Sequence, residues 1–140
     1  MRKCGTPLDF WIPDGPTSNR ITAGDAAGMP LYNSETAKAC VAIAGGRRGT
    51  AIDGGAYIGT FSAHIVAFFN RVIAFEPLKD NFDCLKLNVP GVECHNMALS
   101  QRTEPVMLGQ PSAKRKTYQW RIGSPDCAIS VPGQAIDDLE

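Results

Sequence analysis

The stretch Thr50-Ala51-Ile52-Asp53-Gly54-Gly55-Ala56-Tyr57-Ile58-Gly59, with Arg71-Val72-Ile73-Ala74-Phe75-Glu76-Pro77 after it, decides the fold. Each segment opens as a short apolar run and ends in an acid beside a turn former, as buried strands of a parallel sheet do. The first strand is expected to stop at Asp53-Gly54-Gly55. Between the two strands, residues 60–69 are nearly apolar throughout, with Phe61, Ile65 and Phe68 on one helical face, and predict a buried helix. Beyond the second strand, Leu78, Phe82, Leu85 and Val89 fall at i, i+4, i+7 and i+11 of an amphipathic helix. Asp80 and Asp83 lie early in it and Lys86 late, as the helix dipole favours. A Pro90-Gly91 turn leads to a third strand predicted over 92–97. Strands alternating with helices in this way give an α/β fold with a parallel sheet.

Upstream, Ser34 is placed to cap a helix whose Ala37, Val41 and Ala44 recur at helical spacing and which Gly45 and Gly46 close. Residues 1–33 are broken by Pro7, Pro13, Gly15, Pro16, Gly24, Gly28 and Pro30 and read as a covering arm with one short strand near residues 10–12. Residues 34–140 then form the domain proper. Downstream, the apolar runs 106–108 and 128–131 predict strands on either side of a basic and aromatic cluster, Lys114, Arg115, Lys116, Tyr118, Trp120 and Arg121. That cluster reads as a solvated loop or hairpin; its alternatives are a contact for a phosphorylated or glycan acceptor and a stacking surface for single-stranded nucleic acid.

Composition bounds the function. The chain has 140 residues, 14 Lys and Arg against 14 Asp and Glu, and 44% hydrophobic content, which suits one globular domain with its own core. Zero formal charge argues against binding nucleic acid or acidic membrane by bulk attraction. Five cysteines, Cys4, Cys40, Cys84, Cys94 and Cys127, include no CxxC pair, and the two histidines, His64 and His95, lie far apart. The expectation is reduced thiols, no metal and a cytoplasmic setting. No run approaches the twenty apolar residues of a membrane span.

The chemistry sits at the strand ends. Gly55 and Gly59 permit a sharp bend against which a ligand can lie, and the helix from about Thr60 aims N–H groups at it. Glu76, at the tip of the neighbouring strand, has two oxygens to accept from adjacent ribose hydroxyls. A dinucleotide turn would read G-x-G-x-x-G; here Gly54, Gly55 and Gly59 miss that register and an acid, Asp53, ends the strand. An acid there repels a pyrophosphate but accepts from an ammonium, which favours S-adenosylmethionine over NAD.

The runs Ala51 to Gly59, Val72 to Pro77, Leu85-Lys86-Leu87-Asn88 and Asn96-Met97-Ala98-Leu99-Ser100 resemble, in order and spacing, the FkbM-type S-adenosylmethionine-dependent methyltransferases. The resemblance covers about 32–139, and Ala74-Phe75-Glu76-Pro77 is its most specific part. It implies a Rossmann-like class I methyltransferase sheet of parallel strands with flanking helices. It puts Asp53, Gly54, Gly55, Ala56, Tyr57 and Gly59 at the methionine end of the cofactor, Glu76 and Pro77 at the ribose, and Asn96, Met97 and Ala98 beside the adenine. The implied reaction is methylation of a hydroxyl on a small molecule, sugar or glycan. Two departures stand out: the family often has Asn or His in place of Tyr57, and its next core strand carries a Lys-x-Asp-x-Glu-Gly motif that does not appear before Glu140. The expectation is therefore the cofactor-binding part of a larger sheet, incomplete at its C-terminal side.

Alternatives stay open at this level. One is a module that holds the cofactor without turnover, or a fragment of a larger methyltransferase; a weaker one is an NAD-dependent oxidoreductase. Asp53 as a plain helix cap, Glu76 as a solvated acid and Tyr57 as a packing residue are the structural alternatives. His64 reads as a core histidine, and His95 as a residue with a small claim to general-base work. No residue is assigned as the catalytic base, and a homo-oligomer is left open.

Overall fold

The computed structural model describes residues 1–3, 9–14, 33–109, 121–122 and 127–139, and the chain divides into two compact units, Met1–Asn96 and Met97–Glu140. The protein is mixed α/β. In the first unit a two-stranded antiparallel ribbon, β1 (Arg2–Lys3) with β2 (Trp11–Ile12), precedes helix α1 (Ser34–Ala44). Then come β3 (Thr50–Gly54), α2 (Thr60–Ile65), β4 (Arg71–Phe75), α3 (Lys79–Asn88) and β5 (Glu93–His95). Strands β3, β4 and β5 form one parallel sheet in that order, with Asp53 beside Ala74 and Ala74 beside Cys94.

Strand register explains which face the helices cover. Side chains alternate along a strand, so Ala51 and Val72 share a face with Asp53, Ala74 and Cys94. Val72 and Ala74 are buried there with Ala37 of α1, Ile65 of α2 and Leu85 of α3, in the core of this unit. On the opposite face Ile73 and Phe75 are buried, while Ile52 is 37% exposed.

Several boundaries differ from the sequence reading. Asp53 and Gly54 remain in the ladder opposite Ala74 and Phe75, so β3 runs two residues past the expected stop. Helix α1 is capped at Asn33, in the left-handed region, and Ser34 is its first helical residue. Gly45, also left-handed, closes it through an N–H bond to the Ala42 carbonyl. Helix α2 ends at Ile65 rather than near 69, and Phe68 is 48% exposed. The chain must turn there to bring Arg71 beside Thr50, and the Arg48 guanidinium takes up freed carbonyls by donating to Ala67 and Phe68. His64, in the last turn of α2, is half-buried and not a core residue. Strand β5 is three residues long because Asn96 leaves the ladder and turns its side chain back to the loop after β4.

The second unit pairs β6 (Ala98–Ser100) in parallel with β10 (Gly133–Ala135), ahead of a 3-10 turn at Ile136–Asp138. Strand β7 (Val106–Gly109) lies between β8 (Arg121–Ile122) and β9 (Cys127–Val131), antiparallel to both. This is the expected antiparallel pairing of the two apolar runs. Residues 110–120, which hold most of the basic and aromatic cluster, lie outside the described residues, as do residues 4–8 and 15–32 of the arm. Among the described residues no helix is long and apolar enough to cross a membrane, and no group of three or more His, Cys, Asp or Glu is placed to hold a metal. Cys40 is exposed, Cys94 half-buried and Cys84 buried, and all three are free thiols.

Candidate functional site

The candidate site is the turn between β3 and α2, at the carboxyl ends of β3 and β4. Its backbone is drawn over the end of β4: the N–H groups of Gly55 and Ala56 both donate to the Phe75 carbonyl, at 2.8 and 2.9 Å. Three residues of the turn, Gly55, Tyr57 and Gly59, adopt positive φ, at 80°, 55° and 91°. The two glycines do different work. A Cβ on Gly55 would meet nothing within 4 Å, and Gly54 and Gly55 are exposed, so this lip is open to a ligand. A Cβ on Gly59 would lie 2.9 Å from Leu85 and 3.0 Å from Val89. Gly59 thus serves the close approach of α2 to α3, on the core side and away from the lip. Tyr57 pays the left-handed cost that glycine and, in part, asparagine avoid.

Both predicted acids are buried, and both are already engaged. The Ser62 hydroxyl donates to Asp53 Oδ2 at 2.6 Å, and the Ser62 N–H also bonds this carboxylate, so Asp53 caps the first turn of α2. Burial pushes the Asp53 carboxyl above its ordinary range against those two bonds. Glu76 is a latch. Its Oε2 accepts from the Tyr57 N–H at 2.9 Å, and its Oε1 accepts from the Leu78 N–H at 3.0 Å and from Asn81 Nδ2 at 3.2 Å. One carboxylate therefore fastens the glycine turn to the entrance of α3. Burial raises the Glu76 carboxyl, those three donors hold it down, and the Asp53 charge adds to the rise, which is the net direction.

Asn96 completes the floor. Its Nδ2 donates to the carbonyls of Glu76 and Pro77, at 2.9 and 3.1 Å, and the Glu76 N–H donates to the His95 carbonyl at 3.0 Å. Asp53, Gly54, Gly55, Ala56, Tyr57, Gly59, Glu76, Pro77 and Asn96 are thus gathered in one unit, whereas Met97 and Ala98 belong to the second. His95 pairs its Nε2 with Glu93 at 2.9 Å and stacks on Phe75, and Glu93 also holds Arg71.

Ser62, Asn81 and Asn88 belong to the site although nothing in the sequence marks them as site residues by chemistry. Ser62 and Asn81 occupy the acids, and Asn88 Nδ2 donates to the Ile58 carbonyl at 2.8 Å, inside the turn. Only Asn88 carried a sequence signal, as the last residue of a motif run; Ser62 and Asn81 look like ordinary helix-surface polar residues. Compared with known proteins, the chain matches no family model and no curated protein.

Proposed function

We propose that this chain binds S-adenosylmethionine in the turn after β3 and is a methyltransferase of the class I, FkbM type. The observation that carries the reading is Glu76, a buried acid at the tip of β4 whose Oε2 faces the glycine turn through the Tyr57 N–H. An ionised carboxylate offers about four acceptor positions, and three of those on Glu76 are taken. The spare position on Oε2 suits one ribose hydroxyl, and the long Asn81 bond is the one a second hydroxyl would replace. Gly54 and Gly55 are exposed at the adjoining lip, and a Cβ on Gly55 would meet nothing within 4 Å. Asp53, one strand over, is the acid that favours an ammonium and disfavours a pyrophosphate.

Transfer would break the sulfonium C–S bond and form a C–O bond in line with it. The hydroxyl proton passes to a base, and S-adenosylhomocysteine leaves. The chain's part is to position the donor, which alone supplies much of the rate in such a displacement. The acceptor class is a small molecule, sugar or glycan hydroxyl. The second reading, a module that holds the cofactor without turnover, is favoured by the pairing of His95, the residue with a claim to general-base work, with Glu93. Incubation with methyl-labelled S-adenosylmethionine and a panel of sugars separates the two. Label in a sugar ether supports transfer, and bound cofactor with no labelled product supports the module.

A further inference from the structure

We infer that Asn88 is a positioning residue for the cofactor turn and makes strand β2 part of that site, so that ligand in the turn holds the strand down. The inference rests on the proposed cofactor site for its ligand and on the following geometry for its path. The Asn88 carboxamide pairs with Trp11 as a neighbouring strand would: Oδ1 accepts from the Trp11 N–H at 2.6 Å and Nδ2 donates to the Trp11 carbonyl at 2.9 Å. The same Nδ2 donates to the Ile58 carbonyl at 2.8 Å. A single side chain at the end of α3 thus grips both the arm and the turn. Ile58 is fully buried and packs with Phe10, Ile12 and Cys84, with Tyr57 and Trp11 against the same cluster. Tyr57 in turn is held by Glu76. Glu76, Tyr57, Ile58, Asn88 and Trp11 therefore form one continuous path, each link a hydrogen bond or a peptide bond.

The arm needs this grip. Strand β2 has two residues and pairs with a two-residue β1, a ribbon too short to be stable by itself. Its side chains are well anchored, with Ile12 fully buried beside Phe10, so its backbone is the weak point: the Asn88 carboxamide stands in for the neighbouring strand that the ribbon lacks. Whatever ligand gains from an ordered turn is shared with docked β2, and the coupling is reciprocal.

Cys84 reports the event, because it is fully buried in the cluster with Phe10 and Ile12. The full chain with Cys4, Cys40, Cys94 and Cys127 changed to Ala leaves one thiol, whose reaction with an aromatic disulfide reagent is timed with and without S-adenosylhomocysteine. Saturating ligand is expected to slow Cys84 labelling about tenfold, a typical coupling. Asn88→Ala should speed the ligand-free reaction by about the same factor and weaken ligand binding in proportion. Asn88→Asp keeps the acceptor for the Trp11 N–H but turns a charged oxygen toward the Trp11 and Ile58 carbonyls, so its effect should be at least that of Asn88→Ala; should neither variant fold, the protection of Cys84 by ligand in the parent chain still decides. Lys38→Ala, on the exposed face of α1, should change neither quantity. Ligand-free labelling that is unchanged in both Asn88 variants overturns the inference, as does ligand bound by calorimetry with no change at Cys84. If calorimetry shows no ligand bound, the cofactor reading fails, and the ligand-free comparison still decides the link between Asn88 and β2.

Discussion

Replacing Glu76 by Ala tests whether the buried acid is structural as well as functional. The change removes the acceptor from the N–H groups of Tyr57 and Leu78 and from Asn81 Nδ2. Each stranded, part-buried N–H costs about 1–3 kcal/mol, while Asn81 can turn to water. Relief from burying a charge returns part of this, because burial already pushes the carboxyl upward. The balance is a loss of about 2–4 kcal/mol, a large share of the roughly 5–15 kcal/mol that a domain has. Glu76→Gln should lose about half as much: its oxygen can serve Leu78 and Asn81, but its amide then meets the Tyr57 N–H donor to donor. Urea unfolding followed by far-UV circular dichroism measures both, with the slope against urea unchanged if the native and unfolded surfaces are the same. An Ala variant within about 0.5 kcal/mol of the parent, the scatter of ordinary surface changes, would refute the latch and leave Glu76 a plain site acid.

Tyr57→Gly should be about 1 kcal/mol more stable than Tyr57→Ala, because at φ 55° only glycine escapes the left-handed penalty; equal melting points would contradict the strained turn. Gly133→Ala puts a Cβ 2.3 Å from the Glu104 carbonyl oxygen, and should destabilise the second unit by about 2–3 kcal/mol, read as faster proteolysis within 97–140. The pH dependence follows from the raised carboxyls of Asp53 and Glu76. Each binds its proton more tightly folded than unfolded, so ligand-free stability falls as pH rises from about 4, the unfolded carboxylate range, through the raised folded values. Asp53→Asn should flatten that slope in urea titrations at stepped pH. An ammonium ligand needs Asp53 ionised, so affinity for S-adenosylmethionine should tighten over the same window, and a flat profile would remove Asp53 from the methionine end.

The parallel sheet was legible because β3 and β4 are apolar runs ending in acid and turn, and β5 follows the Pro90-Gly91 turn. The end of α2 was not legible. Residues 66–69 are as apolar as those before them, and only the need to bring Arg71 beside Thr50, with Arg48 to hold the freed carbonyls, stops the helix. Within the site, spacing brought out Asp53 and Glu76 but not their partners. A serine or asparagine on a helix shows no sign in sequence of the acid it will meet across the fold. Gly59 shows the same limit from the other side: its place in a glycine turn suggested ligand contact, whereas Leu85 and Val89 crowd the position a side chain would need. Asn88 fell between the two cases, flagged by a motif run and explained only by Trp11 and Ile58.

The most direct test of the central claim is calorimetric titration of the full chain with S-adenosylhomocysteine, with NAD as comparator and Glu76→Gln as the variant, its folding first checked by the urea titration. One S-adenosylhomocysteine site per chain is expected, with no NAD heat and affinity at least tenfold weaker in the variant, the worth of one charge-assisted hydrogen bond of about 1.5 kcal/mol or more. NAD binding in place of S-adenosylhomocysteine, or equal affinity in a folded Glu76→Gln, would contradict the claim.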